Sequence, residues 1–274
     1  MTTASGTTQR RTGRYGWLPD LPDVRDHLYA APLATIGVLP SSVDLRASCP
    51  ATVYDQGRIG SCTAKAIAGA FEFDLRKQGL GDFMPSRLFI YYNERATEGT
   101  VHSDSGAMLR DGIKSVAKLG VCSEADWPYD DTPPLVDGGP WPSGAKAGKH
   151  PGKACYASAK GNEALTYQRV VRSLAQFKGC LADGYPFVFG FTVYESFESP
   201  VVAKTGVAPM PVPGEQVLGG HAVCAVGYDD ATSTFLVRNS WGPAWGQGGY
   251  FTLPYAYLTE TGLSQDFWTI RQVS

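Results

Sequence analysis

The chain is predicted to fold as an α+β protein, because its helix and strand patterns occupy different parts of the sequence. Helical periodicity is concentrated between residues 62 and 119. The C-terminal third instead holds short runs rich in Val, Phe and Tyr, bounded by Gly, Asp and Pro. No strand–helix–strand alternation joins the two regions, so a parallel doubly wound sheet is not expected. A length of 274 residues suffices for one large domain or two lobes.

Composition excludes several functional classes. Hydrophobic residues make up 43% and charged residues 18% of the chain, as in ordinary soluble proteins. The formal net charge of -2 and the lack of a basic block argue against nucleic-acid binding. No apolar run is long enough to span a bilayer, so no membrane partner is expected. No apolar stretch follows Arg10-Arg11 as a secretory signal requires, which leaves a cytoplasmic location or export by a route that the sequence does not reveal.

The clearest helix follows Cys62. Its apolar residues recur at three- and four-residue spacing, at Ala64, Ile67, Phe71 and Leu75. Gly79 is a plausible C-terminal stop. The remaining faces are predicted to carry the polar residues, which are Lys65, Glu72, Arg76 and Lys77. Cys62 would therefore stand at the N-terminus of this helix.

Further elements follow from the same patterns. Shorter helices are predicted over residues 86–95 and 107–119, the second ended by Gly120. Strands are predicted over residues 187–193, 222–228, 235–239, 250–253 and 267–271. Residues 130–162 are crowded with Gly and Pro and are expected to form a long surface loop. Residues 1–40 look like a separate extension, whose apolar side chains must dock on something: Trp17, Leu18 and Leu21.

The six cysteines do not suggest a metal site or a disulfide framework. None is spaced as C-x-x-C, so structural zinc is not expected, and no other metal or organic cofactor is indicated. If Cys62 is a catalytic nucleophile, five cysteines remain, and an odd number cannot all pair within one chain. Cys224 lies in the apolar run 222–226 and is expected to be a buried small hydrophobe.

Three residues in separate glycine-bounded contexts supply the groups needed for nucleophilic acyl transfer. Cys62 follows Gly57-x-x-Gly60, His221 follows two glycines, and Asn239 opens Asn-Ser-Trp-Gly. The helix N-terminus and a neighbouring imidazolium would both lower the pKa of the thiol. His221 would pair with the thiolate and later protonate the leaving amine, while Asn239 orients its ring. Each residue alone has a bland alternative: a buried cysteine, a satisfied core histidine or a turn asparagine.

Two more residues complete the predicted site. Gln56, six residues before Cys62, would donate its side-chain N–H to the developing oxyanion beside the backbone N–H of Cys62. An exposed loop glutamine is the alternative. Trp241 could shield the bond between His221 and Asn239 from water.

The motifs together resemble those of the papain-like cysteine peptidases. The resemblance is carried by residues 39–46, 56–62, 220–223 and 239–246, and by Ser105-Gly106, which resembles the glycine-rich wall beside the substrate. It implies a two-lobed fold, with a helical lobe over about residues 41–130 and an antiparallel β-barrel lobe over about 131–274. The active site would lie in the cleft between them. It also implies substrate contacts at Ser105, Gly106, Gly220 and Trp241.

The chain departs from the family pattern in ways that suggest a divergent microbial branch. Ile59 stands where the family usually has a cysteine, so one disulfide of that lobe is absent, and Thr63 replaces the usual tryptophan. Residues 1–40 occupy the place of an inhibitory prosegment but are shorter. Part of them, around residues 17–26, is hypothesised to lie in or near the cleft. The alternative is an extension packed on the back of a lobe.

Three functions remain open at this stage. The first is a cysteine endopeptidase acting on peptides or proteins, expected to be a monomer. The exopeptidase-type cathepsins of this family hold a substrate's C-terminal carboxylate with histidines of a loop near this place. His150 is the only candidate in the loop at 130–162, and no cysteines pin that loop in the same way, so an endopeptidase is expected. The second is an amidase or acyl transferase with the same residues, although such acyltransferases use Asp where this chain has Asn239. The third is a silent binding protein on the same fold.

Overall fold

The computed structural model describes residues 15–136 and 139–274. Residues 1–14, including the Arg10-Arg11 pair, and residues 137–138 of the predicted loop lie outside the described residues. The helices are α1 (Leu33–Ile36), α2 (Cys62–Lys77), α3 (Arg87–Glu98), α4 (Leu109–Leu119), α5 (Lys153–Ala159), α6 (Leu174–Ala182), α7 (Pro200–Thr205) and α8 (Tyr255–Thr259). The strands are β1 (Trp17–Leu18), β2 (Leu28–Tyr29), β3 (Ser42–Asp44), β4 (Ala107–Met108), β5 (Ala164–Val170), β6 (Phe187–Tyr194), β7 (Val217–Asp229), β8 (Thr234–Arg238), β9 (Tyr250–Pro254) and β10 (Ser264–Val273).

The strands form one large sheet and one small one. The large sheet runs in the order β2-β5-β10-β6-β7-β8-β9, with β3 paired to the far end of β7. Its pairs are antiparallel except for β2 with β5. The α+β class is confirmed, but the expected closed barrel is not: within the described ranges no ladder joins the edge strands β2 and β9. The second sheet is the parallel pair of β1 with β4.

Helix α2 begins at Cys62 and is buried on every side as far as Leu75. The prediction that its polar residues face outward is wrong for Lys65 and Glu72, which are 2% and 6% exposed. Helix α3 begins after Ser86, whose Oγ accepts from the Phe89 N–H at 3.2 Å, as N-cap serines do. The helical lobe therefore packs around α2, which fixes the position of Cys62.

Two apolar clusters meet at the site. One is centred on α2, α3 and α4 and includes Cys62 and Ala222. The other fills the large sheet with stacked and edge-on aromatic rings and includes Trp241. Burial of this apolar surface is the main stabilising term for both lobes. Because each cluster carries part of the site, the packing of the lobes against each other sets the geometry of the site.

The segment at 130–162 is more ordered than its composition predicts. It ends in α5, and Cys155 and Ala159 of that helix are buried against the helical lobe. Trp141 donates its indole N–H to the Val101 carbonyl at 3.0 Å, and Arg95 donates to the Ala147 carbonyl. The prediction of a surface loop is therefore wrong for this part, because long-range contacts outweigh the local Gly and Pro content.

No helix in the described part of the chain is both long and apolar enough to cross a membrane.

Candidate active site

Cys62 occupies the first position of α2 and is completely buried. The glycine-rich approach is held by Asp104, whose two carboxylate oxygens each lie 3.0 Å from the Gly60 nitrogen. The Sγ of Cys62 accepts from the backbone N–H of Ala222 on β7 at 3.4 Å. Since Ala222 directly follows His221, this contact brings the thiol and the imidazole to the boundary of the two lobes.

His221 is also fully buried and makes the predicted contact with Asn239. Its Nε2 lies 2.8 Å from Oδ1 of Asn239. The other ring nitrogen, Nδ1, has no hydrogen-bond partner within residues 15–136 and 139–274. Trp241 stacks on the imidazole with ring centroids 4.9 Å apart, and Phe191 packs against it edge-on. The tautomer that donates from Nε2 to Asn239 leaves the Nδ1 lone pair for the thiol side.

Gln56 is buried behind the nucleophile with its amide oriented by several partners. Its Oε1 accepts from the Ser240 hydroxyl at 2.8 Å and from the Trp241 indole N–H at 3.2 Å. Its Nε2 donates to the Ile59 carbonyl at 3.1 Å. These contacts identify Nε2 as the donor end of the amide, which is the end that the predicted oxyanion role requires.

The predicted substrate-contact residues surround this centre. A Cβ at Gly106 or Gly220 would lie 2.3 Å or 2.6 Å from backbone oxygens of residues 16 and 17, so the chain's own backbone passes directly against both glycines. Gly106 has φ +71°, which only glycine adopts readily. Ser105 donates its hydroxyl to Thr100 at 2.9 Å and thus supports the wall.

The chain's own residues 15–20 lie in the cleft. Together with residues 21–26, most of which are exposed, we call them the cleft segment. Gly16 lies beside Cys62, near enough for its N–H to favour the thiolate, and its carbonyl accepts from the Ala107 N–H at 2.8 Å. The Tyr15 ring stands edge-on to His221 at 6.2 Å. A Cβ placed on Gly16 would lie 1.7 Å from the Gly60 carbonyl oxygen, so the segment fits here only with glycine.

Trp17 fills a pocket beside Gly190 and Gly220. A Cβ on Gly190 would lie 1.9 Å from the indole, which shows how closely the ring approaches the strand. The indole N–H donates to Oδ2 of Asp266 at 3.2 Å at the end of this pocket. Trp17 is 5% exposed. The sequence predicted that this side chain is buried against another part of the protein, but it did not predict which pocket holds it.

A charged network holds the next part of the cleft segment. Asp20 accepts from the Trp268 indole N–H at 2.8 Å and from the Arg110 backbone N–H at 3.1 Å. Its own N–H donates to Asp266 at 2.8 Å. Further along, Asp26 pairs with Arg110 and Arg169 at 2.5 and 3.1 Å. The hypothesis that this stretch lies in the cleft agrees with this geometry; its effect on activity is treated as a proposal below.

Burial under the cleft segment opposes formation of a thiolate–imidazolium pair. Desolvation raises the pKa of the Cys62 thiol to about 12, although the N–H groups of Ala222 and Gly16 favour the thiolate. Desolvation likewise lowers the pKa of His221 to about 4, although the hydrogen bond that its ring N–H donates to Asn239 favours the charged imidazole. The helix N-terminus does not overcome this loss of water. In this closed arrangement burial therefore favours the neutral thiol and the neutral imidazole.

The structure adds residues near the nucleophile that the sequence patterns did not identify. Thr63 donates its hydroxyl to the buried carboxyl of Glu94 at 2.7 Å, in the place where the family usually has tryptophan. Lys65 and Tyr129 contact the backbone on either side of Gln56. The sequence did hold one indication for Lys65: a residue three positions after Cys62 on a helix lies on the same face as Cys62.

His150 is not part of this site in the structure. Its ring packs against Tyr92 and Tyr156, with centroids 5.4 and 5.2 Å away. An open pocket beside it is lined by Lys153, Lys160 and the same Tyr156. All six cysteines are free thiols, and no His, Cys, Asp or Glu cluster of metal-site geometry occurs within residues 15–136 and 139–274.

The fold and the site define a papain-like cysteine peptidase. Residues 39–269 match the family described as papain family cysteine protease, so the chain belongs to that family. It is 39% identical to an uncharacterised peptidase C1-like protein of Acanthamoeba polyphaga mimivirus, over 95% of this chain and 87% of that protein. It is 30% identical to a cathepsin B-like protein of Giardia intestinalis, over 82% and 73% of the two chains.

Solved structures agree with this assignment. Xylellain, a cysteine protease from Xylella fastidiosa, superposes with a TM-score of 0.92 at 48% identity, covering 97% of this chain and 98% of that one. Procathepsin B S9 from Trypanosoma congolense gives a TM-score of 0.71 at 17% identity, covering 95% and 86%. The second likeness shows the fold alone. The chain is therefore a cysteine peptidase that acts on peptides or proteins.

Proposed function

We propose that the chain is a cysteine endopeptidase in which Cys62 is the nucleophile and residues 15–26 inhibit the enzyme by occupying its cleft. One observation carries the proposal: Cys62, His221, Asn239 and Gln56 converge at the boundary of the lobes, with His221 Nε2 2.8 Å from Asn239 Oδ1 and Ala222 N 3.4 Å from Cys62 Sγ. A thiol, an oriented imidazole and an amide donor are what acyl transfer by cysteine requires.

The reaction begins once the cleft opens and water returns. The desolvation that holds the thiol and imidazole neutral is then relieved, and the proton moves from Cys62 Sγ to His221 Nδ1. The thiolate attacks the scissile carbonyl carbon, and His221 passes that proton to the leaving amine as the C–N bond breaks. Water activated by His221 then hydrolyses the thioester and frees the thiol. Asn239 holds the ring by its contact with Nε2 throughout.

Gln56 stabilises the oxyanion that forms in both steps. Its Nε2 and the backbone N–H of Cys62 are the two donors, and the first is aimed by the contacts that Ser240 and Trp241 make with Oε1. Such a donor acts in the transition state more strongly than in the ground state. Removing one typically costs about 2.7–4 kcal/mol of activation free energy.

The cleft segment can occupy the site without being cut. The N–H of Gly16 favours the Cys62 thiolate, and an amide N–H is not an electrophile. Its carbonyl is turned to the wall, where it accepts from the Ala107 N–H at 2.8 Å, so it does not face Gln56. The pro-form named in the structure of procathepsin B S9 is consistent with an inhibitory N-terminal segment in this family.

An endopeptidase is favoured over an exopeptidase and over the two other functions. His150, which could have held a substrate carboxylate, contacts Tyr92 and Tyr156 instead of the site. An acyl transferase with an aspartate in the third position does not fit Asn239. A silent binding protein would not need a glutamine amide fixed by Ser240 and Trp241 beside an intact thiol.

The test is hydrolysis of a dipeptidyl fluorogenic amide with a hydrophobic P2 residue and arginine at P1. We would compare full-length wild type, Gly16→Ala, and Gly16→Ala combined with Cys62→Ala. Gly16→Ala is expected to be active because the added Cβ collides with Gly60 and expels the cleft segment. The Cys62→Ala form should be inactive. Equal hydrolysis with and without Cys62 would refute the nucleophile, and a wild type as active as Gly16→Ala would refute inhibition by the cleft segment.

A further inference from the structure

We propose that Lys65 and Tyr129 are positioning residues that hold the backbone of Gln56 so that its amide meets the oxyanion. The inference rests on the proposed function, because it assigns a role around the same oxyanion donor. It concerns two residues outside the group Cys62, His221, Asn239 and Gln56.

Lys65 is anchored directly beside the glutamine. It lies on α2 three residues after Cys62 and is 2% exposed. Its Nζ donates to the carbonyl of Asp55 at 3.0 Å. That carbonyl belongs to the peptide unit that enters Gln56. Charged and neutral forms of the amine both carry N–H donors, so the contact survives a change of protonation.

Tyr129 holds the peptide unit that leaves Gln56. Its Oη donates to the Gln56 carbonyl at 2.8 Å and lies 2.6 Å from the Ser61 hydroxyl. The Nζ of Lys65 stands 3.1 Å above the centroid of the Tyr129 ring, so the two side chains also support each other. Ser61 directly precedes Cys62. Tyr129 therefore contacts the chain beside both proposed oxyanion donors, the Gln56 amide and the Cys62 backbone N–H.

The backbone of Gln56 is therefore fixed at each polar group. Lys65 holds the preceding carbonyl, Tyr129 holds its own carbonyl, and its N–H donates to the Ser240 carbonyl at 2.9 Å. A glutamine side chain has three rotatable bonds, so a small shift of its Cα moves Nε2 appreciably. Loss of about 1 Å in the position of a catalytic group can cost roughly 100-fold in rate.

Folding stability alone does not account for a lysine here. A buried amine loses its hydration, and burial lowers the pKa of Lys65 well below its usual range. An unbranched apolar side chain of similar length would fill the volume without that loss. The alternative explanation is that Lys65 fixes the position of Gln56. Lys65 donates to the Asp55 carbonyl, and Tyr129, which lies against Lys65, donates to the Gln56 carbonyl.

The experiment uses the full chain carrying Gly16→Ala as parent and adds Lys65→Met or Tyr129→Phe. Each addition is expected to lower kcat by roughly tenfold with KM within twofold, because the oxyanion forms only after substrate binds. Lys77→Met is the matched control: this lysine is on the same helix and also stands over a tyrosine ring, that of Tyr185 at 4.3 Å. It should leave both constants unchanged.

Two further readouts separate positioning from general damage. In a parent that also carries Gln56→Ala, Lys65→Met should cause no additional loss, because the group it positions is gone. Alkylation of Cys62 by iodoacetamide, which forms no oxyanion, should proceed at the parent rate in every variant. An undiminished kcat in Lys65→Met, or equal losses with and without Gln56, would overturn the inference. A parent that neither hydrolyses the amide nor is alkylated at Cys62 would instead overturn the proposed function and the inference with it.

Discussion

The N-terminal extension has two parts that are held to the enzyme by different forces. The cleft segment, residues 15–26, is held by the short β1–β4 pairing, by one buried indole and by a charged network around Asp20. Residues 27–40, which we call the anchor segment, join the large sheet through β2 and pack α1 against α6. The first part covers the active site, and the second lies against the β-rich lobe.

The anchor segment behaves as part of the folded core. Tyr29 and Ala31 are 4% and 5% exposed and belong to the aromatic cluster of the sheet. The Ala31 N–H donates to Gln176 at 2.7 Å, and the Pro40 carbonyl accepts from the Tyr228 hydroxyl at 2.6 Å. In the structure the first part of the extension contacts His221 and the second part packs on the β-rich lobe, whereas the effect of the first part on access stays a prediction.

The difference indicates which contacts can open without unfolding. Charged and hydrogen-bonded contacts of the cleft segment can be exchanged for water at small net cost. Removal of Tyr29 and Ala31 from the sheet would expose apolar core. The two parts join at residues 26–28, where Asp26 pairs with Arg110 and Leu28 begins β2. Deleting residues 1–38 would therefore damage the fold as well as clear the cleft, whereas point changes separate the two effects.

The largest expected effect distinguishes the parts by stability. Tyr29→Ala should lower the free energy of unfolding by about 3–5 kcal/mol, because it empties a buried aromatic site. Urea unfolding followed by tryptophan fluorescence measures this change. Unchanged stability would show that the anchor segment is not integral to the core.

Trp17→Ala should change access to the site. Loss of the buried indole should weaken the closed state by about 3 kcal/mol, which corresponds to roughly 100-fold more open enzyme. The rate of Cys62 labelling by an epoxide thiol-protease inhibitor reports the open fraction. Urea unfolding of the same variant should show a smaller loss of stability than Tyr29→Ala. If the two variants lost equal stability, the distinction between the segments would fail.

The hold of the cleft segment should weaken as pH rises. Burial, with the nearby Asp266 carboxylate, raises the pKa of Asp20 to about 6 from its usual 3.8. Because its pKa is raised in the closed state, protonated Asp20 favours closure. This contribution is complete below about pH 4 and is lost as the pH rises through 6. The labelling rate of wild type relative to Gly16→Ala should rise roughly 50-fold between pH 4 and 7. Asp20→Asn should flatten this ratio; a ratio in wild type that falls with pH would contradict the assignment.

The smallest effect concerns an exposed pair within the cleft segment. Arg25 and Asp23 lie 2.8 Å apart, but the arginine side chain is 83% exposed. Exposed ion pairs contribute little because water screens them. Arg25→Ala should leave the labelling rate within twofold of wild type. A larger change would mean that surface charge, and not the buried indole, controls closure.

Sequence patterns predicted the local elements better than their long-range partners. The three- and four-residue apolar spacing identified α2 and α4, and Val- and Phe-rich runs identified β6 to β10. The motifs of Cys62, His221 and Asn239 could be found because each is a short string with its own glycines. β5 was missed, since Ala164–Val170 buries only its two end residues and has no regular alternation of buried and exposed positions.

Other features depend on contacts between distant residues and left no local trace. The position of Gly16 is fixed by Gly60 and Gly106, which lie 44 and 90 positions further along the chain. The burial of Lys65 depends on Asp55 and Tyr129, so helical periodicity placed it on an outer face. These relationships require the tertiary structure, because local propensity carries no information about a partner that is far along the chain.

The most direct test of the account compares the rates at which the epoxide inhibitor labels Cys62 in full-length wild type, Gly16→Ala and Gly37→Ala. Gly37 lies in the anchor segment, where an added Cβ would approach the Leu33 carbonyl only to 3.4 Å. Gly16→Ala is expected to be labelled at least tenfold faster than wild type, and Gly37→Ala at the wild-type rate. Equal rates in all three proteins would contradict the claim that the cleft segment closes the active site.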